Sequence, residues 1–221
     1  MERRFDLVLF DLDGTLIDNR VSIRDSVNFA LNEFGFESVS DAKIDAQIGK
    51  HLPDIFKAFI PENKKDLADE LSSAYRERYM TTSDQGLVVL EGAHEALSSL
   101  KKRGITQGIV TNKMEGAAQL LKKIGLYDNF EFVISPNAQL RPKPYPDMIL
   151  SAIKMAKATA SRTAYVGDTS IDMNSARNAK VSSVAVMTGV KMGIADQKEL
   201  MEAMPDYAIA NLSGLAKILA E

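Results

Sequence analysis

No cysteine occurs among the 221 residues, which excludes disulfides, thiolate metal sites and a cysteine nucleophile, and fits a reducing cytoplasm. Long apolar runs are also missing. None approaches the roughly 20 residues that a membrane span needs, and the apolar stretch in MERRFDLVLFDLDG is too short for a signal peptide before acidic residues interrupt it. Charge of one sign is scarce: the net charge is -3, with Lys and Arg spread along the chain, so no basic face argues for nucleic acid. Two histidines, without a partner at ligand spacing, make a histidine metal site a poor reading. Internal repeats and low-complexity tracts are absent. A soluble intracellular protein without nucleic-acid or membrane partners is expected, with its oligomeric state open.

What is present is an alternation. Apolar residues make up 45% of the chain, enough for one large domain or a domain carrying an insert. From Glu91 onward, helical and strand-like patterns alternate. GAHEALSSLKKRG spaces Ala93, Ala96, Leu97 and Leu100 as a helix face, and ITQGIVT follows as a strand. GAAQLLKKIGL, DMILSAIKMAKA, residues 170–180 and LSGLAKILA read as helices. FEFVIS, TAYVGD, SSVAVMT and the weaker DYAIA read as strands. Such alternation predicts an α/β fold, a doubly wound and mainly parallel sheet. Residues 6–10 form a first strand, set apart from this series by a stretch with helical periodicity and no convincing strand. That stretch is too long for a crossover and is expected to be an inserted all-helical domain at residues 16–86, within a core of residues 1–15 and 87–221.

In open α/β sheets, ligands bind beyond the carboxyl ends of the strands. The first strand delivers Asp11, Asp13, Gly14 and Thr15 there; GIVTNK delivers Thr111, Asn112 and Lys113; PNAQLRPKPYPD carries Arg141 and Lys143; TAYVGDTSIDM delivers Asp168 and Asp172. Carboxylates gathered at one rim repel unless a cation or proton intervenes, and an all-oxygen set suits magnesium. A lysine beside them can neutralise an incoming anion or a nucleophilic carboxylate. Gly14 permits close backbone approach, and amides at a strand-to-helix turn can bind phosphate oxygens. The constellation fits metal-assisted transfer of a phosphoryl group to a carboxylate.

DLDGT, Thr111 in VTN, Lys143 in RPKPYP and GDTSID stand in an order and spacing that resemble the phosphatases of the haloacid dehalogenase superfamily, and the helical insert resembles that family's C1-type cap. The resemblance spans Asp11 to Asp172. It implies Asp11 as the nucleophile that becomes an aspartyl-phosphate, and Asp13 as the acid for the leaving oxygen and then the base for water. It implies Thr111 and the backbone of Asn112 as holders of phosphoryl oxygens, and Lys143 as the balance for their charge. Magnesium would be held by Asp11, the carbonyl of Asp13 and Asp168, with Asp172 holding metal waters or Lys143. An acid at position 13 favours phosphoryl transfer over dehalogenation. Within the superfamily the chain looks most similar to the phosphoglycolate phosphatase group, which implies a small phosphorylated metabolite as substrate. Pyrophosphatase and sugar phosphomutase activities remain alternatives, with a phosphoacceptor signalling module more distant.

Other readings compete at single positions. Asp11 and Asp13 could be turn residues before Gly14, Asp168 and Asp172 an N-cap and an exposed helix residue, and Thr111 and Asn112 a cap for a helix starting near Met114. Lys50, between Gly49 and His51 in QIGKHLPDIF, is either a substrate contact from the insert or part of a solvated turn. Arg76, Arg78 and Arg141 read as surface charges, and His94 as an exposed helix residue. Glu91 stands where the family often has proline.

Overall fold

The computed structural model describes residues 4–113, 116–188 and 194–218. Strand β1 (Leu7–Phe10) is apolar and wholly buried because it lies in the middle of a sheet covered on both faces. The flanking strands are β4 (Thr106–Val110), β5 (Phe132–Ile134), β6 (Thr163–Gly167), β7 (Ser182–Val186) and β8 (Tyr207–Ile209), in the spatial order β5-β4-β1-β6-β7-β8. Every pairing in this sheet is parallel. Strand order reverses at β1, so the crevice that such sheets use for ligands opens beyond its carboxyl end.

Side-chain alternation along β1 divides the core. Val8 and Phe10 enter one apolar layer with Leu97, Leu100, Leu121 and Leu215. Leu7 and Leu9 enter the other with Met148, Ile149, Tyr165 and Ala176. Helices α5 (Ala93–Lys102), α6 (Ala117–Lys123) and α10 (Leu215–Ile218) cover the first face. Helices α7 (Asp147–Ala156) and α8 (Ser170–Ala179) cover the second. Helix α9 (Ile194–Glu202) is absent from the sequence reading. It carries the chain from β7 to β8, as parallel neighbours require a crossover.

Between β1 and β4 stand α1 (Arg20–Glu33), α2 (Asp41–Asp45), α3 (Leu52–Lys57) and α4 (Ala68–Thr82). These helices bury Val27, Leu31, Phe56, Leu71 and Tyr75 in an apolar cluster of their own. The spacing of Ile23, Val27, Ala30 and Leu31 explains the buried stripe of α1. One expectation needs correction, because the helical stretch is not free of strand. Strand β2 (Ile17–Asp18) pairs antiparallel with β3 (Val88–Val89), joining the two chain segments that lead into and out of the helices. Two residues are too few to write a period-2 signal. Among the described residues no helix is long and apolar enough to cross a membrane.

Leu9 is fully buried on the central strand, and its truncation leaves a cavity between two rigid neighbours. Leu9→Ala is expected to lower the unfolding free energy by about 2–5 kcal/mol in urea titrations.

Candidate active site

The backbone of Asp11 continues the sheet, with its N–H donating to Val166 O at 2.9 Å. Phe10 pairs with Ile109 of β4 and Val166 of β6, so Asp11, Thr111 and Asp168 emerge within one residue of each other on three adjacent strands. The tertiary fold then adds Lys143 from the loop after β5. Its ammonium, almost wholly buried, lies 2.9 Å from Asp11 Oδ1 and 2.7 Å from Asp172 Oδ1.

Asp172 is saturated. Besides Lys143, its Oδ1 faces the Tyr165 hydroxyl at 3.0 Å, and its Oδ2 accepts from the Thr169 N–H at 3.1 Å and the Thr169 hydroxyl at 2.6 Å. Thr169 and Asp172 form the capping box of α8, so one carboxylate closes a helix start and anchors the lysine. Asp168 accepts the Thr15 hydroxyl at 3.0 Å. Gly14 has φ +83°, and a Cβ there would come within 2.3 Å of Asp168 Oδ2. Gly14 thus lets the Asp168 carboxylate come close to the backbone, while its own N–H donates to Ile17 O at 2.7 Å within the turn.

Oxygens of Asp11, Asp168 and Asp172 lie within 4.8 Å of one another. One buried ammonium faces three buried carboxylates, and Asp11 Oδ1, though ion-paired, accepts no aligned hydrogen bond. Burial first, then the Asp172 and Asp13 charges, raise the Asp11 carboxyl to about 6 despite the opposing pull of Lys143. Burial and the charges of Asp172 and Asp11 push Asp168 well above the carboxylate range. Burial alone would depress Lys143, but Asp11 and Asp172 reverse this and hold it charged. The cluster therefore has excess negative charge and oxygen donors, which fits a hard divalent cation. Asp11 and Asp168 have the capacity for it; Asp172 is already spent on protein donors.

Asp13 points elsewhere, toward Lys113, whose ammonium lies 3.1 Å from Oδ2 and 3.3 Å from Oδ1. The same ammonium sits 4.3 Å from the centre of the Tyr79 ring on α4. The Tyr79 hydroxyl accepts from Asn19 Nδ2 at 2.7 Å. Burial works against the Lys113 charge, but Asp13, Tyr79 and the neighbouring Tyr75 raise its pKa overall.

Above the cluster lies a space of about 70 Å³, with Asp11, Asp13, Thr111, Asn112 and Lys113 on the sheet side and Ile48, Leu52, Ile55, Tyr75 and Tyr79 on the helical side. Room for only a few water-sized groups implies a compact ligand. Thr111 is buried and its hydroxyl accepts from the Lys113 N–H at 3.2 Å. The expected cap of a helix near Met114 falls outside the described residues; α6 is seen from Ala117. The Asn112 carboxamide bonds to the backbone of Lys143 and Gly49. Lys50 borders the space, but it is exposed and its ammonium donates to Gln47 at 2.7 Å.

Arg78 and Arg141 pair at the surface with Asp25 and Asp147. Arg76, expected at the surface, is half-buried and borders the site. Sequence reasoning missed Tyr165 and Tyr79 as parts of the site and gave Lys113 no role. Tyr75 and Tyr79 at i and i+4 were the available signal, but such spacing reads equally as helix core.

A family model described as haloacid dehalogenase-like hydrolase matches residues 8–186. The chain belongs to that family. A phosphoglycolate phosphatase of Pseudomonas savastanoi pv. phaseolicola is 31% identical over 215 residues, covering 95% of this chain and 78% of the relative. A pyrophosphatase PpaX of Oceanobacillus iheyensis is 29% identical, covering 97% and 96%. In fold, the chain is similar to a haloacid dehalogenase-like family hydrolase of Streptococcus pneumoniae, with a TM-score of 0.86, 22% identity, and 97% and 98% of the two chains covered.

The raised Asp11 pKa has a consequence for stability without metal. A carboxyl that titrates at about 6 when folded and 3.8 as a free group binds its proton more tightly in the native state. Its contribution is fully present below about pH 4 and is lost as pH rises through 6, by roughly 3 kcal/mol. Urea midpoints in chelator should fall across this window, and Asp11→Asn should flatten the fall.

Proposed function

We propose that the protein is a cytoplasmic, magnesium-dependent phosphatase that hydrolyses a small phosphorylated metabolite through an aspartyl-phosphate, with 2-phosphoglycolate the leading substrate. The observation that carries this is the Asp11 carboxylate held beside a buried lysine, on the floor of a small, partly open cleft. The Asp11 oxygen attacks phosphorus, and the ester oxygen leaves with a proton from Asp13. Water, giving its proton to Asp13, then attacks the aspartyl-phosphate, so phosphate departs and Asp11 is restored. Thr111 and the Asn112 backbone hold phosphoryl oxygens, and Lys143 offsets the charge of Asp11 and phosphate.

Asp11, the Asp13 carbonyl and Asp168 would hold the ion, with Thr15 and Asp172 supporting them and Gly14 leaving room. Magnesium, when bound, supplies polarisation of a phosphoryl oxygen and relief of carboxylate repulsion. Residues 16–86 act as a cap over a core of residues 1–15 and 87–221. Their apolar wall excludes bulk water, and Lys50 and Arg76 offer positive charge to an anionic leaving group. The relative named phosphoglycolate phosphatase supports that substrate. The relative named pyrophosphatase supports inorganic pyrophosphate as the second reading.

Asp11→Asn should abolish release of p-nitrophenol from p-nitrophenyl phosphate with magnesium, leaving less than about one part in 10³ of the wild-type rate; wild-type-like turnover would overturn the assignment. Phosphate release from 2-phosphoglycolate and from pyrophosphate, at equal concentrations, separates the two substrates, and conversion of an added sugar phosphate to its isomer without phosphate release would indicate a mutase. Magnesium should raise the melting temperature of the wild-type protein and leave that of Asp168→Asn nearly unchanged.

A further inference from the structure

A carboxamide has one acceptor oxygen and two donor hydrogens in a planar fork, and in Asn112 all of them are engaged. Oδ1 accepts the Lys143 N–H at 2.7 Å, while Nδ2 donates to the Lys143 carbonyl at 3.3 Å and to the Gly49 carbonyl at 3.0 Å. These partners also fix which end is which, since an N–H faces the oxygen and two carbonyls face the nitrogen. One side chain thus grips Lys143 by both backbone polar groups, while the lysine's ammonium reaches Asp11 and Asp172.

The third bond goes to a different part of the molecule. Gly49 lies in the turn between α2 and α3 of the helical block, and a Cβ there would come within 3.2 Å of Thr169 Cγ2. The Thr169 hydroxyl in turn donates to Asp172 at 2.6 Å. The turn is therefore seated against the side chains that hold Lys143 at each end: Asn112 at its backbone, and Thr169 behind the carboxylate that receives its ammonium.

We infer that Asn112 is a positioning residue whose side chain couples the seating of the Gly49 turn to the placement of Lys143. With the turn seated, the buried amide has a single orientation that satisfies its oxygen and both hydrogens. When the turn lifts, one hydrogen loses its partner, other rotamers become competitive, and the two-point grip on Lys143 loosens. The lysine that balances Asp11 is thereby best placed when the helical block covers the site. This is separate from any contact of the Asn112 backbone with a phosphoryl oxygen. Its kinetic half rests on the phosphatase reading, whereas its structural half does not.

Asn112→Asp keeps the shape and the acceptor for the Lys143 N–H but sets an oxygen against two carbonyls. Asn112→Ala removes all three bonds, and melting curves establish that each variant is folded. On p-nitrophenyl phosphate with magnesium, kcat should fall about 10–100-fold in both variants while KM stays within about 3-fold. Adding Asn112→Asp to Lys143→Ala should cost no more than about 3-fold beyond Lys143→Ala alone, because residues acting as one unit are not additive.

Hydrogen exchange in peptides spanning residues 44–57 should slow on addition of inorganic phosphate and magnesium in the wild-type protein, but not in Asn112→Asp. Losses that multiply in the double variant, or wild-type slowing of exchange in Asn112→Asp, would overturn the coupling. If the wild-type protein hydrolyses no phosphate ester, the phosphatase reading fails, and the exchange comparison decides the coupling alone.

Discussion

Everything at the site answers to one electrostatic constraint: three carboxylates and a single ammonium are buried together at the end of a parallel sheet. Burial and mutual repulsion disfavour the charged forms of Asp11 and Asp168 beside a single ammonium, and their raised pKa values express that frustration. A fold selected for stability alone would not assemble such a set. It persists because each group is held by something rigid: β1 carries Asp11, the capping box of α8 carries Asp172, and Thr15 fixes Asp168. The unsatisfied charge is the property that a divalent cation and a phosphoryl group can use.

The enclosure amplifies this charge. Charges are stronger where water is excluded, and the helical block supplies a wall of Ile48, Leu52, Ile55, Tyr75 and Tyr79 over a polar floor. Two contacts tie wall to floor at named atoms. Lys113 bridges Asp13 of the core and Tyr79 of α4, and Asn112 bridges Lys143 of the core and Gly49 of the α2–α3 turn. Both come from the same VTNK stretch after β4. The strand that presents Thr111 to the site thus also presents the side chains that meet the helical block.

Much of the architecture was legible along the chain because long elements write their period plainly. The buried strands, most of the helices between them and the helical stretch were readable from apolar spacing. Helix α9 and the β2–β3 ladder were not. The first was overlooked in a polar stretch, and the second spans two residues on each side. At the site, Asp11, Thr111 and Asp168 stood out as charged and hydroxyl residues after apolar strands, whereas Lys143 was told from Arg141 only by the order of motifs in the family resemblance. Tyr165 was not, since a tyrosine inside a core strand reads as packing until its hydroxyl is found 3.0 Å from Asp172.

By itself the sequence determined the chemistry available at the rim: which acids, which lysines, and in what order the strands deliver them. Those are properties of residue type and spacing. Only the tertiary structure decided how the groups divide their work. Asp172 is consumed by Lys143, Tyr165 and Thr169; Asp13 faces Lys113; and the Gly14 space belongs to Asp168. The reason is that a hydrogen bond depends on ångström distances between atoms that can lie 153 positions apart, as Thr15 and Asp168 do. Local pattern carries no information about such distances until packing sets them.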